Sequence, residues 1–331
     1  MITSAYLALK PDENKISPEF AKYLFKGYES KMAFHNMGAG IRLTLGFKEF
    51  KSQPVLFPEL SEQFQIVSFL DRQCAHIDNI IEKTKASIEE YKKLRQAVIT
   101  QAVTKGVRGE RAMKDCTNDW FASIPSDWEL IRLKFLLSDI VDCPHETPNY
   151  SSEGEYLVIR TADEDYGFLR STDNMYRLEA DEYYNRIRRL SLDKDDIVYG
   201  REGERWGLAC IVPESGKYCL GQRMMQFRCK TDMIYPLYLK WVLNSWQVYL
   251  QGCFDTFGST SPHVNISTII DYYIPVPSYE EQIELADYME KKSNEINSLI
   301  TKKEQFLTEL ESYKKSMIYE YVTGKKEVPS A

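Results

Sequence analysis

Clusters of arginine beside hydrogen-bonding residues are the part of this sequence whose residue types and spacing could do specific chemistry. They fall between residues 160 and 263, on segments predicted to be loops. Arginine can donate two hydrogen bonds to a guanine edge, glutamine suits adenine, and glutamate accepts from a cytosine amine, so this mixture could hold phosphates and read bases. The candidate nucleic-acid contacts are Arg160, Thr161, Arg186, Arg188, Arg189, Arg201, Glu202, Arg205, Gln222, Arg223, Ser259, Thr260 and His263.

The alternative is an ordinary surface with ion pairs. Residues 119–276 hold 16 Lys/Arg against 24 Asp/Glu, and the whole chain has a net charge of −7. Evenly mixed charges would favour the ordinary surface, so nucleic-acid binding would have to come from local basic patches.

No catalytic motif is recognisable in the sequence. It contains no GxxxxGK[ST] loop, no Gly-rich cofactor loop with an Asn-Pro-Pro-aromatic motif, and no spaced nuclease carboxylate cluster. Seven cysteines without CxxC spacing indicate reduced thiols. Cys143 and His145 form the only close Cys/His pair, and we expect no metal there. The sequence therefore predicts a protein without catalytic or metal-binding residues.

The length and composition of the chain indicate which class of protein it belongs to. The chain has 331 residues, 43% of them hydrophobic and 27% charged, which is typical of a globular protein with two or three domains. No signal peptide and no long apolar window are present. We therefore expect a cytoplasmic protein without a membrane partner.

The elements that must position the candidate residues include a long repeated segment. A shift of 219 positions lays residues 58–104 on 277–323 without a gap, and ten of the 47 positions are identical. Both copies begin with a proline followed by a Glu-Gln pair and continue with apolar residues at heptad-like spacing. Each copy is predicted to be one long helix with an apolar seam, and the two seams are predicted to pair antiparallel.

The predicted helix-pair packing residues lie on these seams. They are Ile77, Ile81, Ile88, Leu94, Val98, Ile296, Ile300, Leu307, Leu310 and Met317, with neighbouring apolar rows at Ile80 on the first helix and at Leu299, Phe306 and Tyr313 on the second.

The remaining chain divides around the two helices. We expect the tail of a domain at 1–57, a linker at 105–118, a complete β-rich domain at 119–276 and a short tail at 324–331. The repeat extends upstream, because ISPEFAKYLF before the first helix matches IYPLYLKWVL before the second. The predicted fold class is α+β, with β-rich globular domains alternating with two long helices.

This combination resembles the specificity (S) subunit of type I restriction–modification systems. The resemblance rests on the two helices with their Pro-x-x-x-Glu-Gln starts and on segments of the complete domain such as IPSDWELIRL, YNRIRRLSLDKDDIVYGREGERWG and CLGQR. Residues 119–276 then correspond to a complete second target recognition domain. Residues 1–57 correspond to the C-terminal remnant of a first one whose N-terminal part is expected to be missing.

The resemblance implies a function. Each recognition domain of the family reads one half of a split sequence in double-stranded DNA, and the helix pair docks two methyltransferase subunits. Motor-nuclease subunits join to make the restriction enzyme. S-adenosylmethionine, ATP and Mg are then expected in the partner subunits and no cofactor in this chain, which does no chemistry itself.

Three other interpretations remain open at this stage. The first is a coiled-coil scaffold that joins protein partners. The second is a half-subunit fragment that assembles with another chain without reading a two-part site. The third is an autonomous enzyme built around Cys143 and His145.

Overall fold

Two long helices organise the structure: α2 spans Leu60–Lys105 and α8 spans Tyr279–Val322. The computed structural model describes residues 8–34, 50–51, 54–256 and 262–329. The chain divides into a first unit, Met1–Tyr91 with Asn297–Ala331, and a second unit, Lys92–Ile296. Each long helix contributes to both units.

The two long helices run antiparallel, as predicted. In the first unit the rings of Phe69 and Tyr321 lie 4.6 Å apart, and further along α2 the Asp78 carboxylate accepts a hydrogen bond from Lys314 at 2.5 Å. The partner on α8 therefore moves towards the N-terminus as α2 proceeds. In the second unit, buried residues of both helices share one core: Ile99, Ala102, Val103, Leu285, Ala286 and Met289.

The seam follows alternating steps of four and three residues. On α2 its buried or half-buried positions are Leu70, Cys74, Ile77, Ile81, Thr84, Ile88, Tyr91 and Arg95. On α8 they are Met289, Ser293, Ile296, Ile300, Lys303, Leu307, Leu310, Lys314 and Met317. Polar residues thus occupy several seam positions.

The prediction that Leu94 packs in the seam is wrong. Leu94 is 49% exposed, because the seam passes through Arg95 beside it, and Ile99 rather than the half-buried Val98 is fully buried. On α8 the corresponding row is also on the surface, with Leu299 41%, Phe306 43% and Tyr313 60% exposed.

A buried glutamine fixes the first turn of each long helix. Gln63 accepts a hydrogen bond from the backbone N–H of Ser17 at 2.9 Å and donates to the carbonyls of Lys15 and Pro58, each at 2.8 Å. Its repeat equivalent, Gln282, makes the same three hydrogen bonds in the second unit. It accepts from Tyr235 N–H at 2.7 Å and donates to the carbonyls of Met233 and Pro277, each at 3.1 Å.

The short helix that each glutamine holds is also repeated. In the first unit α1 spans Pro18–Ser30, with Ser17 accepting from the N–H of Phe20 and proline in the first turn. Its buried face packs on α2 and on the last turns of α8. In the second unit the matching helix starts at Pro236. The upstream extension of the repeat is therefore visible in the structure.

The second unit carries the β-structure. A four-stranded antiparallel sheet has the order β10 (Ala209–Ile211), β9 (Ile197–Gly200), β12 (Met224–Cys229), β4 (Leu137–Asp142). A three-stranded sheet has the order β11 (Tyr218–Leu220), β5 (Tyr156–Ile159), β8 (Tyr176–Leu178), with β11 and β5 parallel. Three two-stranded pairs complete it: β1 (Met113–Asp115) with β2 (Ser123–Pro125), β3 (Glu129–Arg132) with β13 (Tyr273–Val276), and β6 (Glu164–Asp165) with β7 (Phe168–Leu169).

Short helices close the core of this unit. They are α3 (Leu133–Leu136), α4 (Ala180–Arg186), α5 (Pro236–Leu243), α6 (Trp246–Thr256) and α7 (Ile266–Ile270). The largest buried side chains include Trp128, Trp241, Tyr199, Tyr238 and Tyr272. The fold is α+β, as expected, and none of the helices in the described residues has the length and apolar character needed to cross a membrane.

The segment predicted as a linker is tied to α8. Arg108 binds the carboxylate of Glu284 with two hydrogen bonds of 2.7 and 2.8 Å, and Arg111 binds Glu281 and Asp127. Strand β1 also lies within it. These ion pairs explain why the basic stretch is ordered rather than a free connection.

Replacing a seam residue should destabilise the protein far more than replacing its neighbour. Ile300→Asp puts a carboxyl group into the buried seam and should cost about 3 kcal/mol or more, whereas Leu299→Asp points into water and should cost less than about 1 kcal/mol. Urea unfolding followed by circular dichroism measures both. Equal midpoints for the two variants would contradict the assigned register.

Removing a clamp glutamine should also be costly. Gln282→Ala leaves a backbone N–H and two carbonyls without their partner, and we expect a loss of about 2 kcal/mol or more. The control Gln65→Ala removes an exposed side chain of the same type and should change stability by less than about 0.5 kcal/mol. Thermal unfolding of the two variants in parallel tests this, and an unchanged midpoint for Gln282→Ala would disprove the role of the clamp.

Candidate nucleic-acid interface

Three loops of the second unit meet because of strand register. Strand β12 begins at Met224, which lies opposite Gly200, the last residue of β9, while Met225 lies opposite Asp142, the last residue of β4. The segment after β11 leads directly into β12 through Gly221 and Arg223. The ends of β4, β9 and β11 therefore bring their loops to one edge.

Asp142 is the centre of this edge. Its carboxylate accepts hydrogen bonds from Nε and Nη2 of Arg201 at 3.0 and 3.2 Å, and Nε2 of His145 lies 3.1 Å from it. Arg201 also contacts Glu202 at 2.9 Å, and Glu202 lies 3.1 Å from His263. These contacts, centred on the buried Arg201, thus hold the loops that follow β4 and β9 to the segment around His263.

Two arginines predicted as DNA contacts lie beneath this surface. The side chain of Arg201 is only 5% exposed and is occupied by the network. Arg186 is buried, and its guanidinium donates to the carbonyls of Leu220, Glu146 and Pro144 at 3.0 to 3.3 Å. Because arginine has donors in a fixed planar fork, each ties several carbonyl or carboxylate groups together. The geometry therefore gives both residues a positioning role, which corrects the expectation that they reach out to a ligand.

Three other predicted residues lie around the loop at residues 142–145: Arg189 and Arg223 are exposed, and Gln222 is half-buried. Arg189 donates to the carbonyl of Asp142 at 3.3 Å, and Gln222 donates to the carbonyl of His145 at 2.8 Å. Arg223 is exposed and has a positive φ of 72°, a conformation that costs a non-glycine residue energy and that the register of β12 imposes. We call the loop 142–145 with Arg189, Gln222 and Arg223 the strand-end face.

Gly221 packs closely against β5 beside this face. A Cβ on Gly221 would come 2.8 Å from the Ile159 carbonyl and 2.9 Å from Cγ of Arg160. A side chain at this position would push the loop away from β5, which places Arg160 at the border of the strand-end face.

A second group of predicted residues is held by carboxylates. Arg160 donates twice to Asp163 at 2.9 Å, and its guanidinium lies 3.7 Å from the ring centroid of Tyr176. Arg205 donates to the backbone carbonyl of Glu164 and lies 3.8 Å from Asp165. Both arginines are partly exposed, but Nε of Arg205 is buried and has no hydrogen-bond partner among the described residues.

The remaining candidates differ in their positions. Thr161 is half-buried beside Gly200, and Arg188 is exposed and donates to the Asn185 carbonyl at 3.2 Å. His263 is exposed and contacts both Glu202 and Arg201. Ser259 and Thr260 lie outside the described residues.

The Cys143 and His145 pair does not form a reactive site. Cys143 is fully buried, and burial raises the pKa of its thiol, which opposes formation of a nucleophilic thiolate. His145 faces Asp142 instead. Within the described residues, no group of His, Cys, Asp and Glu is arranged to hold a metal ion.

Sequence reasoning missed two acidic residues. Asp142 organises the edge, although it stands 59 residues from Arg201 in sequence, and only the pairing of β12 with both strands brings them together. Glu164 is fully buried, burial raises its pKa well above the usual value, and the thiol of Cys210 donates to it at 3.2 Å. The alternation of side chains along β6, with Glu164 inward and Asp165 outward, is the one signal that could have identified it.

The second unit is an α+β domain whose core includes residues of both long helices, and it has arginines at one edge of its sheets. A family description, the type I restriction modification DNA specificity domain, matches residues 3–90 and 125–309, and the chain belongs to this family. It is a DNA-binding specificity protein of type I restriction–modification.

Individual proteins of type I restriction–modification systems are similar to this chain in sequence or in fold. The chain is 26% identical over 332 residues to the type I restriction enzyme MjaVIII specificity subunit of Methanocaldococcus jannaschii, covering 98% of this chain and 74% of that protein. It is 24% identical over 302 residues to the type I restriction enzyme EcoBI specificity subunit of Escherichia coli, covering 86% and 60%. A solved chain from a study of complex assembly and conformational transition of the type I R-M system has the same fold, with a TM-score of 0.67 at 14% identity, covering 96% of this chain and 74% of that one.

Substitution on the strand-end face should weaken DNA binding. Arg223→Ala removes an exposed guanidinium that makes no hydrogen bond or ion pair with the described residues, and we expect a loss of about 1–3 kcal/mol for the recognised sequence. Lys217→Ala is the control, because Lys217 is also cationic and exposed but precedes β11, at the opposite end of that strand. Fluorescence anisotropy with duplex DNA at fixed salt measures both. If Lys217→Ala weakened binding as much as Arg223→Ala, the face would be misassigned.

Proposed function

We propose that this chain reads a DNA half-site with the strand-end face and docks methyltransferase subunits, two per complex, through its helix pair. Motor-nuclease subunits join where a restriction enzyme is assembled. The chain itself is non-catalytic, acts in the cytoplasm, and leaves S-adenosylmethionine, ATP and Mg to its partners. The observation that carries the DNA role is the group formed by the exposed Arg189 and Arg223 and the half-buried Gln222, which lies around Asp142 and the buried Arg201.

The geometry of the face suits base reading better than charge attraction alone. Asp142 lies in the face itself, and Asp163 pairs with Arg160 at its border, so the surface is not a bare cationic patch. Net charge in the domain is negative, which weakens non-specific binding to phosphates. Specific hydrogen bonds from guanidinium and amide groups to base edges are then the larger source of discrimination.

The helix pair offers a surface for a protein partner. Ile80, Leu299, Phe306 and Tyr313 form what we call the outer row, and the α8 members recur every seven residues on one side of the helix. Ile80 lies two residues after Asp78, which contacts Lys314, so it is level with the Tyr313 end of the row. An exposed apolar row at helical spacing fits an amphipathic helix laid alongside it.

Co-expression with a methyltransferase subunit and mapping of methylated bases in host DNA tests the proposal. The intact chain should direct methylation to one sequence context. Arg189→Ala with Arg223→Ala should relax or abolish that context while the methyltransferase still co-purifies. A complex that forms but methylates no defined context, even with the unaltered chain, would support a scaffold function instead.

The outer row has its own test. Phe306→Asp should reduce co-purification of the methyltransferase more than tenfold, because it places a carboxylate in the apolar contact. Gln305→Asp, one residue away on a different side of α8, should leave co-purification unchanged. Unfolding curves exclude loss of the helix pair as the cause. Full retention of the methyltransferase by Phe306→Asp would rule out docking on this row.

A further inference from the structure

Two exposed tyrosines lie beside the strand-end face. Tyr150 is 42% and Tyr176 47% exposed, and their rings meet edge to face with centroids 4.4 Å apart. The guanidinium of Arg160 lies 3.7 Å from the ring centroid of Tyr176, and its Cγ would be 2.9 Å from a Cβ on Gly221. Arg160 therefore connects these two rings, which we call the tyrosine pair, to the segment that leads into β12.

Tyr150 lies at the end of the chain segment that begins with the loop 142–145. The buried Arg186 donates hydrogen bonds to two backbone carbonyls of this segment, at 3.1 and 3.3 Å. Immediately after Tyr150, the backbone N–H of Ser151 donates to the carbonyl of Arg177 on β8 at 2.9 Å. The segment is thus anchored at both ends, and its anchors place Tyr150 against β8.

Contacts within the domain also fix the second ring. Tyr176 lies opposite Val158 in the pairing of β8 with β5. Arg160, which lies over this ring, donates two side-chain hydrogen bonds to Asp163 at 2.9 Å and a backbone hydrogen bond to the same carboxylate. A guanidinium held by these hydrogen bonds keeps the ring from turning. The tyrosine pair is therefore preorganised, so little conformational entropy is lost when it makes a contact.

The chemistry of the strand-end face limits what the tyrosine pair can contact. Arginine and glutamine make their specific paired hydrogen bonds with purine edges in the major groove of DNA. In that groove the base edges present hydrogen-bonding groups, and the C5 methyl group of thymine is the one apolar group. Aromatic carbon beside the face is therefore matched by thymine. Because the rings carry no charge, they give the phosphates no electrostatic attraction.

We propose that the tyrosine pair contacts the C5 methyl group of a thymine beside the bases that the strand-end face reads. The recognised half-site then includes a T·A pair at this position. This inference rests on the proposed function and extends it, because it assigns one base of the target to two uncharged side chains. Cytosine carries hydrogen where thymine carries the methyl group, so the contact distinguishes the two pyrimidines. Burial of one methyl group corresponds to about a fourfold change in affinity.

Another exposed tyrosine of the same domain lies away from this surface. Tyr184 is 58% exposed, and its hydroxyl group lies 3.5 Å from that of Tyr156, the first residue of β5. Arg160 follows the other end of the same strand. Tyr184 is therefore a matched control for the tyrosine pair.

Substitution of single thymines in the target DNA tests the contact. The protein is the complex of this chain with its methyltransferase subunit, and the duplex carries the sequence that methylation mapping identifies. Deoxyuridine replaces each thymine in turn, which removes only the methyl group, and fluorescence anisotropy measures affinity at fixed salt. We expect one position at which deoxyuridine weakens binding about fourfold. With a C·G pair at that position, 5-methylcytosine should bind about fourfold more tightly than cytosine.

Variants of the tyrosine pair assign the methyl effect to these rings. Tyr150→Ala with Tyr176→Ala should bind the thymine and deoxyuridine duplexes equally, because the apolar surface is gone. Tyr150→Phe with Tyr176→Phe keeps both rings and should retain the preference for thymine, and Tyr184→Ala should retain it as well. Because all three tyrosines are exposed, these variants should fold, which thermal unfolding checks.

Three results would overturn the inference: a recognised half-site without a T·A pair, no thymine at which removal of the methyl group weakens binding, or a methyl effect that persists in the double alanine variant. Arg223→Ala separates this failure from failure of the proposed function. If that variant weakens binding while deoxyuridine has no effect at any position, the strand-end face reads DNA without the tyrosine pair. If the unaltered complex binds all sequences equally, the proposed function fails and this inference fails with it.

Discussion

The hydrogen bonds of two buried glutamines are the constraint on which the rest of the structure depends. Gln63 and Gln282 each join the proline before a long helix to the start of a shorter helix, using the acceptor and both donors of one amide. A buried amide that is fully satisfied tolerates little change in angle or distance. These hydrogen bonds fix the direction in which the chain enters each long helix.

The helix seam gains its register from polar residues. Thr84, Arg95, Lys303 and Lys314 occupy seam positions that leucine would fill in a more stable coiled coil. A polar side chain at such a position reduces stability but disfavours other alignments. Lys314 shows how, since it reaches Asp78 beside the seam. Most of the helix-pair stability must then come from the apolar clusters in which the helices end, such as the one around Phe20 and Met317.

The same residues explain which parts of the structure could be predicted from sequence. The repeat and the two long helices could be predicted, because identity at non-heptad positions such as Gln63 cannot arise from periodicity. The position of the seam could not, since apolar character alone favours Leu94 over Arg95 and Tyr313 over Lys314. Arg95 is nevertheless buried, with its guanidinium over the ring of Tyr166, and Lys314 reaches Asp78 of the partner helix. At the candidate site, arginine-rich loops were visible in the sequence, but burial of Arg186 and Arg201 depends on strand pairing between distant segments.

In the proposed function, the buried arginines hold the loops in place and the more exposed residues read DNA. Arg201 and Arg186 bind carboxylate and carbonyl groups of their own domain, so the loops keep one arrangement whatever stands at the surface. Arg189, Gln222 and Arg223 contribute little to that arrangement, since each makes at most one hydrogen bond to a neighbouring backbone carbonyl or lies in solvent. Surface residues on a rigid base can change without loss of the fold. If the strand-end face reads DNA as proposed, the domain can acquire a new target sequence by substitution at that face, while changes in the layer beneath it would destroy recognition of every sequence.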